Sequence, residues 1–322
     1  MKTIHTLEEF PGKATPVFLA LGCFDGLHMG HRAVIQVAID RARACGGEAW
    51  VFTFSPHPAQ MLDPDHAPAL IHTLSQQLRH FQEMGIDGCV LQPFTAGFMK
   101  QEPTAFFDHL CSGIPELAGI SVGADWSFGK NRAGTPALLT QLCAERNIFF
   151  SAHPPVCWKG KRISSTRIRE AVRLGHLDDV FGMLGHPATT IGTVVHGEQI
   201  GRGLGYPTAN IDPENDMLPP RGIYAAQLRV GHRLHAAAAY IGHRGTFHEN
   251  APQILEVHLI DEKNIDLYGR QVEVSYLEYI RGDRVFDDPE ALKRQIQSDL
   301  SAIRSILEQE GQGIVSKMEN KE

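Results

Sequence analysis

The spacing of hydrophobic positions changes near residue 186. Before it, short apolar runs alternate with stretches of helical spacing. The runs 17–21, 48–54, 88–92, 119–122 and 148–151 predict strands; 31–45, 75–84, 101–112, 136–146 and 165–174 predict helices. In SQQLRHFQEM, Leu78, Phe81 and Met84 recur every three residues, and Gly85 can cap the C-terminus. Strand and helix in repeated alternation predict a parallel sheet covered on both faces.

After residue 186 the apolar residues alternate with period two, in the segments 190–195, 223–230, 235–241, 255–260 and 271–276. Glycine and proline punctuate these, as in GYPTAN and LPPRG. Strands this close, with no helices between them, predict a small closed or nearly closed β-structure. A last helical run, 288–312, starts at DDPE and sets Leu292, Ile296, Leu300, Ile303 and Leu307 on one face. That face suits packing on the barrel, and the tail SKMENKE is expected to fray. The pattern divides the chain into an α/β domain at 1–186 and a barrel domain at 187–322.

Composition narrows the class. The chain has 322 residues, 43% hydrophobic and 21% charged, enough for two ordinary domains with real cores. Its net charge of −7 argues against a nucleic-acid partner, while leaving room for a local site that holds a small anion. No apolar run approaches the roughly 18 residues of a membrane helix, and MKTIHTLEEF carries early acids instead of a signal block. The 6 cysteines are scattered without a C-x-x-C pair, as expected of reduced thiols in a cytoplasmic protein without a membrane partner. The 17 histidines include no H-E-x-x-H.

The densest chemistry lies in LGCFDGLHMGH, residues 21–31, where a strand runs into a helix. His28 and His31 are three apart at the helix start and share a face. With the first helical amides they would grip an anion, and Gly26 and Gly30 would let phosphate approach the backbone. This suits phosphoryl or nucleotidyl transfer, in which the protein mainly positions phosphates and stabilises charge. A second start, ISSTRIR, offers Ser165, Thr166 and Arg169 as a further phosphate grip, or as an ordinary helix cap. In VGADWSFGKNRAG, Asp125, Trp126, Phe128 and Arg132 would stack on and orient a ring, or merely pack a loop. His57, between two prolines, is a ligand or a turn residue. In the second half, GRGLGYP has neither dinucleotide-fingerprint nor P-loop spacing, although its glycines can form a phosphate nest.

The first of these segments resembles the H-x-G-H signature of the nucleotidylyltransferases. TFSPHP, VGADWSFGKNRAG and ISSTRIREAVRLGHLDDVFGMLGHP resemble the N-terminal module of bacterial bifunctional riboflavin kinase/FAD synthetases. GTVVHGEQIGRGLGYPTANI, LPPRGIYAA, EVHLID and DLYG resemble the C-terminal flavokinase module, in the same order. The resemblance implies a Rossmann-like nucleotidylyltransferase domain followed by a flavokinase β-barrel with a C-terminal helix. It implies phosphorylation of riboflavin to FMN, then adenylylation of FMN to FAD with release of pyrophosphate. ATP is co-substrate for both steps, with Mg²⁺ as cofactor; the partners are the small molecules ATP, riboflavin, FMN and FAD. By the same resemblance Gly22, Phe24, Asp25, Gly30, Ser165, Thr166 and Arg169 hold ATP at the first site, where His28 and His31 are catalytic. His57, Asp125, Phe128 and Arg132 are its flavin-side residues. Gly201, Gly203, Thr208 and Asn210 hold phosphates at the second site, Thr208 and Asn210 bind the metal, and Glu256 is the base.

Three departures from the family pattern stand out. Cys23 replaces a common Asn in G-N-F-D, Tyr240 and Gly245 replace Asn and Pro in N-I-G-x-x-P-T-F, and Glu262 replaces a frequent Phe. The last two touch the kinase half. They keep open two alternatives: a nucleotidylyltransferase for another phosphorylated metabolite with a degenerate barrel, and a non-catalytic flavin sensor.

Overall fold

The runs expected to be strands in the first half do form one parallel sheet. The computed structural model describes residues 1–12, 14–197, 205–243, 253–260, 262 and 265–319. They fall into two compact units, Met1–Ser165 and Thr166–Glu322. In the first, β1 (Lys2–Ile4), β2 (Val17–Leu21), β3 (Glu48–Phe54), β4 (Gly88–Gln92), β5 (Leu117–Gly123) and β6 (Phe149–His153) lie in the order β1-β4-β3-β2-β5-β6. Every neighbouring pair is parallel.

The connecting helices are α1 (Met29–Cys45), α2 (Pro58–Leu62), α3 (Leu74–Glu83), α4 (Ala96–Met99), α5 (Pro103–Gly113) and α6 (Pro136–Glu145). β2 is buried at every position because both faces are covered. Val17, Leu19 and Leu21 join one core with Trp50, Phe107 and Leu139. Phe18 and Ala20 join the other with Ile35, Val51 and Phe81. A short hairpin of β7 (Cys157–Trp158) and β8 (Lys161–Arg162) ends the unit's ordered elements.

The second unit contains α7 (Ser165–Arg173, all but its first residue), α8 (Leu177–Leu184) and six antiparallel strands. These are β9 (Ala188–Val195), β10 (Ala209–Pro213), β11 (Gly222–Val230), β12 (Arg233–His243), β13 (Gln253–Leu259) and β14 (Gln271–Arg281). They close a barrel in the order β10-β13-β12-β11-β14-β9. The last helix, α9 (Pro289–Glu319), runs past the expected end at 312 and includes much of the tail expected to fray. Its Leu300 and Ile303 are buried with Ala225 and Ile260, and Ile296 and Leu307 pack beside them, so the expected apolar face is the one used. Arg281 at the end of β14 and Asp299 on α9 make a buried two-pronged ion pair, Nη2 to Oδ2 2.8 Å, that anchors the helix.

Candidate active sites

Strand order reverses between β2 and β5, and in open parallel sheets ligands bind outside the strand ends at such a point. The loop leaving β2 turns through three left-handed residues, Phe24 (φ 53°), Gly26 (78°) and Leu27 (39°). Two of the three carry side chains, so the neighbours must hold the turn against its strain. They do so through side-chain bonds. Asp25 is buried and its Oδ1 accepts from the Ile71 amide at 3.0 Å. Its carbonyl accepts from Ser165 Oγ at 3.0 Å. The Cys23 carbonyl accepts from Thr53 Oγ1 at 3.1 Å and Gln77 Nε2 at 2.9 Å. Burial, and then the Asp25 charge, push the Cys23 thiol up to about 11, so it stays protonated and unreactive near neutral pH.

His28 is the N-cap of α1. Its Nδ1 accepts from the His31 amide at 3.2 Å, and its ring stacks on that of His31 with centroids 3.6 Å apart. An accepting Nδ1 fixes the tautomer: the proton sits on Nε2. Burial is the largest cause that pulls His28 down to about 4, with a backbone hydrogen bond and Asp125 opposing and Arg162 assisting. Burial, then His28 and His72, hold His31 well below the usual range. Both rings are therefore neutral near pH 7 and act as N–H donors, not as fixed cations. Gly30 makes room for this stack, because a Cβ there would lie 3.1 Å from His28 Cε1.

Gly22 and Phe24, both expected to hold ATP, lie on the loop leaving β2. The Gly22 amide donates to the Phe52 carbonyl at 3.2 Å, so it is already engaged. Phe24 is 2% exposed and meets the His31 ring edge-on at 5.4 Å; it backs the imidazole from the core. The loop after β5 carries Asp125, which pairs with Arg162 of β8, and Arg132, whose Nε donates to Ser127 Oγ at 2.8 Å. Phe128 is buried, with its face against Trp126 at 4.9 Å. His57 caps α2: its Nδ1 accepts from the Ala59 amide at 3.2 Å while Gln60 reaches back to its own amide. Thr166 and Arg169 lie on α7.

The barrel carries a second group. Pairing aligns Val195, Asn210, Glu256, Tyr240, Ile223 and Arg281 in one row across five neighbouring strand pairs. Residues opposite each other on paired strands face the same side, and the buried residues flanking this row, Val194, Ile211, Val257, Ala239 and Ile241, fill the interior. The row therefore faces outward. Thr208 Oγ1 donates to Glu256 Oε2 at 3.1 Å. A Cβ on Gly197 would lie 2.1 Å from Asn210 Nδ2; only glycine lets that backbone press on the amide. Gly201, Gly203 and Gly245 lie outside the described residues. Glu262 accepts a partner, His235 Nδ1 at 2.5 Å.

Arg162 and Gly197 were not singled out from the sequence, although both sit inside or beside quoted motifs. Arg162 lies three residues before Ser165 and could have been suspected from that position; Gly197 is read only from the packing.

These features define a chain with a nucleotidylyltransferase-type turn on a parallel sheet and a separate barrel on which Asn210 and Glu256 lie side by side in one cross-strand row. Residues 11–167 match the FAD synthetase family and 184–307 match the riboflavin kinase family. The bifunctional riboflavin kinase/FMN adenylyltransferase of Escherichia coli K12 is 34% identical over 300 residues, 93% of this chain and 95% of that protein. The protein of the same description from Bacillus subtilis is 31% identical over 93% of this chain and 96% of its own length. A solved structure described as a macrolide-efflux protein from Streptococcus pneumoniae is 30% identical, with a TM-score of 0.85 over 94% of this chain and 99% of that one. Among the described residues no helix is long and apolar enough to cross a membrane. The chain belongs to the bifunctional riboflavin kinase/FMN adenylyltransferase family.

Proposed function

We propose that the two activities divide between the two sites, with His28 and His31 serving adenylyl transfer and Glu256 serving phosphorylation. The chain is a bifunctional enzyme that makes FMN from riboflavin and FAD from FMN, using ATP for each step. The observation that carries the division is chemical: one site holds two neutral imidazoles, the other a carboxylate hydrogen-bonded to a hydroxyl. We read 1–186 as the adenylyl-transfer region and 187–322 as the kinase region, which the start of the kinase match at 184 supports.

In the first reaction class an FMN phosphate oxygen attacks the α-phosphorus of ATP and pyrophosphate leaves. No covalent enzyme intermediate is needed. His28 Nε2–H and the His31 ring donate to oxygens on which charge builds, in a partly dry site where such donors count most. Ser165, Thr166 and Arg169 hold the departing phosphates; Asp125, Arg132 and His57 orient the flavin side. In the second, Glu256 takes the proton of the riboflavin 5′-hydroxyl as its oxygen attacks the γ-phosphorus, and ADP leaves. The hydroxyl of Thr208 and the amide oxygen of Asn210 are hard donors of the kind Mg²⁺ prefers, and they would hold it there. A bound Mg²⁺ would offset phosphate charge. Both regions act on small soluble substrates, consistent with a cytoplasmic enzyme. The degenerate-barrel and sensor alternatives are not favoured, since Thr208, Asn210 and Glu256 are all present and the relatives match across both regions.

The test uses purified protein with riboflavin, ATP and Mg²⁺, and follows flavin species over time. Glu256→Gln abolishes FMN formation but spares FAD formation from supplied FMN. His28→Ala with His31→Ala does the reverse. Folded variants that each lose both activities would defeat the division of labour.

A further inference from the structure

The row across the barrel places a residue beside Glu256 to which the reaction assigns no part. Glu256 has two cross-strand neighbours: Asn210 on β10 and Tyr240 on β12. Directly opposed residues of this kind have Cβ atoms about 4.5–5.5 Å apart. The phosphate-side ligands Thr208 and Asn210 occupy one flank of the acid. Tyr240 lies on the other.

Tyr240 is held in a defined position. A Cβ on Gly242 would lie 2.3 Å from the Tyr240 Oη and 2.5 Å from its Cζ. The phenol therefore lies along β12 over the bare backbone of Gly242, two residues on, and any side chain there would lift it. Its hydroxyl donates to the carboxylate of Asp283. Asp283 sits in the connector between the end of β14 at Arg281 and the start of α9 at Pro289. Burial first, and then the nearby charges of Asp283 and Glu256, push the phenol up to about 12, against the opposing charge of Arg221. It remains a protonated donor near neutral pH. Tyr240 thus links the strand beside the base to the segment leading into α9, whose other end of attachment is the Arg281–Asp299 pair.

We propose that Tyr240 is a positioning residue of the kinase site: its ring walls the flank of Glu256 opposite Asn210, and its tether to Asp283 holds the acceptor side of the pocket in shape. On the proposed function the acceptor is riboflavin, an uncharged alcohol carried on a flat ring system. The phenol offers such a molecule an aromatic surface beside the base, while the carboxylates of Glu256 and Asp283 disfavour an anionic one. The inference rests on Glu256 as the base. It also gives a role to a position where the family commonly has Asn, a side chain too short to reach along β12 to the connector.

Steady-state kinase kinetics test it, with riboflavin and ATP each varied at saturating Mg²⁺. Tyr240→Ala raises the KM for riboflavin about tenfold or more, about 1.4 kcal/mol, while kcat and the KM for ATP change by less than about threefold. Tyr240→Phe keeps the wall and drops the tether, giving a smaller rise in the same constant. Asp283→Asn added to Tyr240→Phe produces no further rise, because both changes remove one link. An unchanged riboflavin KM in Tyr240→Ala overturns the proposal. So does a joint collapse of kcat and both KM values in Tyr240→Phe, the mark of a merely structural residue. Additive effects of Tyr240→Phe and Asp283→Asn overturn the tether. Glu256→Gln, assayed in parallel, separates the two ideas: if it still forms FMN, the base is misassigned whatever Tyr240 does.

Discussion

The neutrality of His28 makes a measurable claim about acid stability. The perturbation is His28→Asn. Asparagine is a good N-cap whose Oδ1 can take over the bond that Nδ1 accepts from the His31 amide, but it does not titrate. In the unfolded chain the imidazole binds a proton near 6.5, in the folded chain only near about 4. Between these values the unfolded state carries more protons, so folding stability falls as pH falls through the window and is constant above it. At 1.36 kcal/mol per tenfold change in proton activity, the full loss from His28 is about 3 kcal/mol. The group is 6% exposed, so solvent screening removes little of it.

The assay is urea unfolding followed by tryptophan emission. Trp50, Trp126 and Trp158 are the chain's 3 tryptophans and all lie in the first unit, so the signal reports that unit alone. Carboxylates titrate over the same range in wild type and variant and cancel in the difference. Lowering the pH from about 7 to about 4.5 costs the wild type roughly 2–3 kcal/mol more than His28→Asn. Whatever the variant loses at neutral pH is irrelevant; the divergence between the two curves is what counts. Parallel curves would refute the argument, because they would mean that His28 titrates in the folded protein near its unfolded value.

Two further outcomes follow from close packing in the second unit. Gly197→Ala places a methyl 2.1 Å from Asn210 Nδ2 and displaces that amide. The KM for ATP in FMN formation rises about tenfold, roughly 1.4 kcal/mol, while adenylylation of supplied FMN is unchanged; steady-state assays of each half-reaction check this. Asp299→Ala leaves the buried guanidinium of Arg281 without its partner and costs the barrel unit about 3–5 kcal/mol. Thermal inactivation of the kinase at a lower temperature than the adenylyltransferase is the readout.

Much of this architecture was legible because the burial pattern is simple. β2 is apolar at all five positions since both its faces are covered, and α9 carries a clean stripe because only one face meets the barrel. Period and length decide such elements without knowledge of partners. β1 was not legible: three residues with one buried side chain are too few to show a period, and β4 supplies what holds it. α8 was quoted only within a motif, since its eight residues give barely two turns of periodicity. His28 and His31 were legible as candidates from their place between a strand and a helix. Their protonation was not, because it depends on burial that no local spacing encodes. Phe24 and Phe128 show the opposite limit. Each lies within a motif rich in candidate residues, yet each turns its ring into the core.

In the proposed division of labour the two sites hold polyphosphate with different materials, and the fold explains the choice. At the end of β2 the chain must reverse into α1, so backbone amides and N-cap side chains converge there; imidazoles that are neutral can be packed in that dry corner without the cost of burying charge. On the barrel there is no helix start within the row. An outward face of paired strands offers side chains at fixed cross-strand intervals instead, and where α9 does not cover it Asn210 and Glu256 stand next to each other. Chemistry on that surface needs a wall to exclude water and to orient an uncharged acceptor, and the residue in the next place along the row is Tyr240. Its neighbour Gly242 and its tether Asp283 have no evident use to the barrel's interior, which Ala239 and Ile241 already fill. They make sense together as the mounting of that wall.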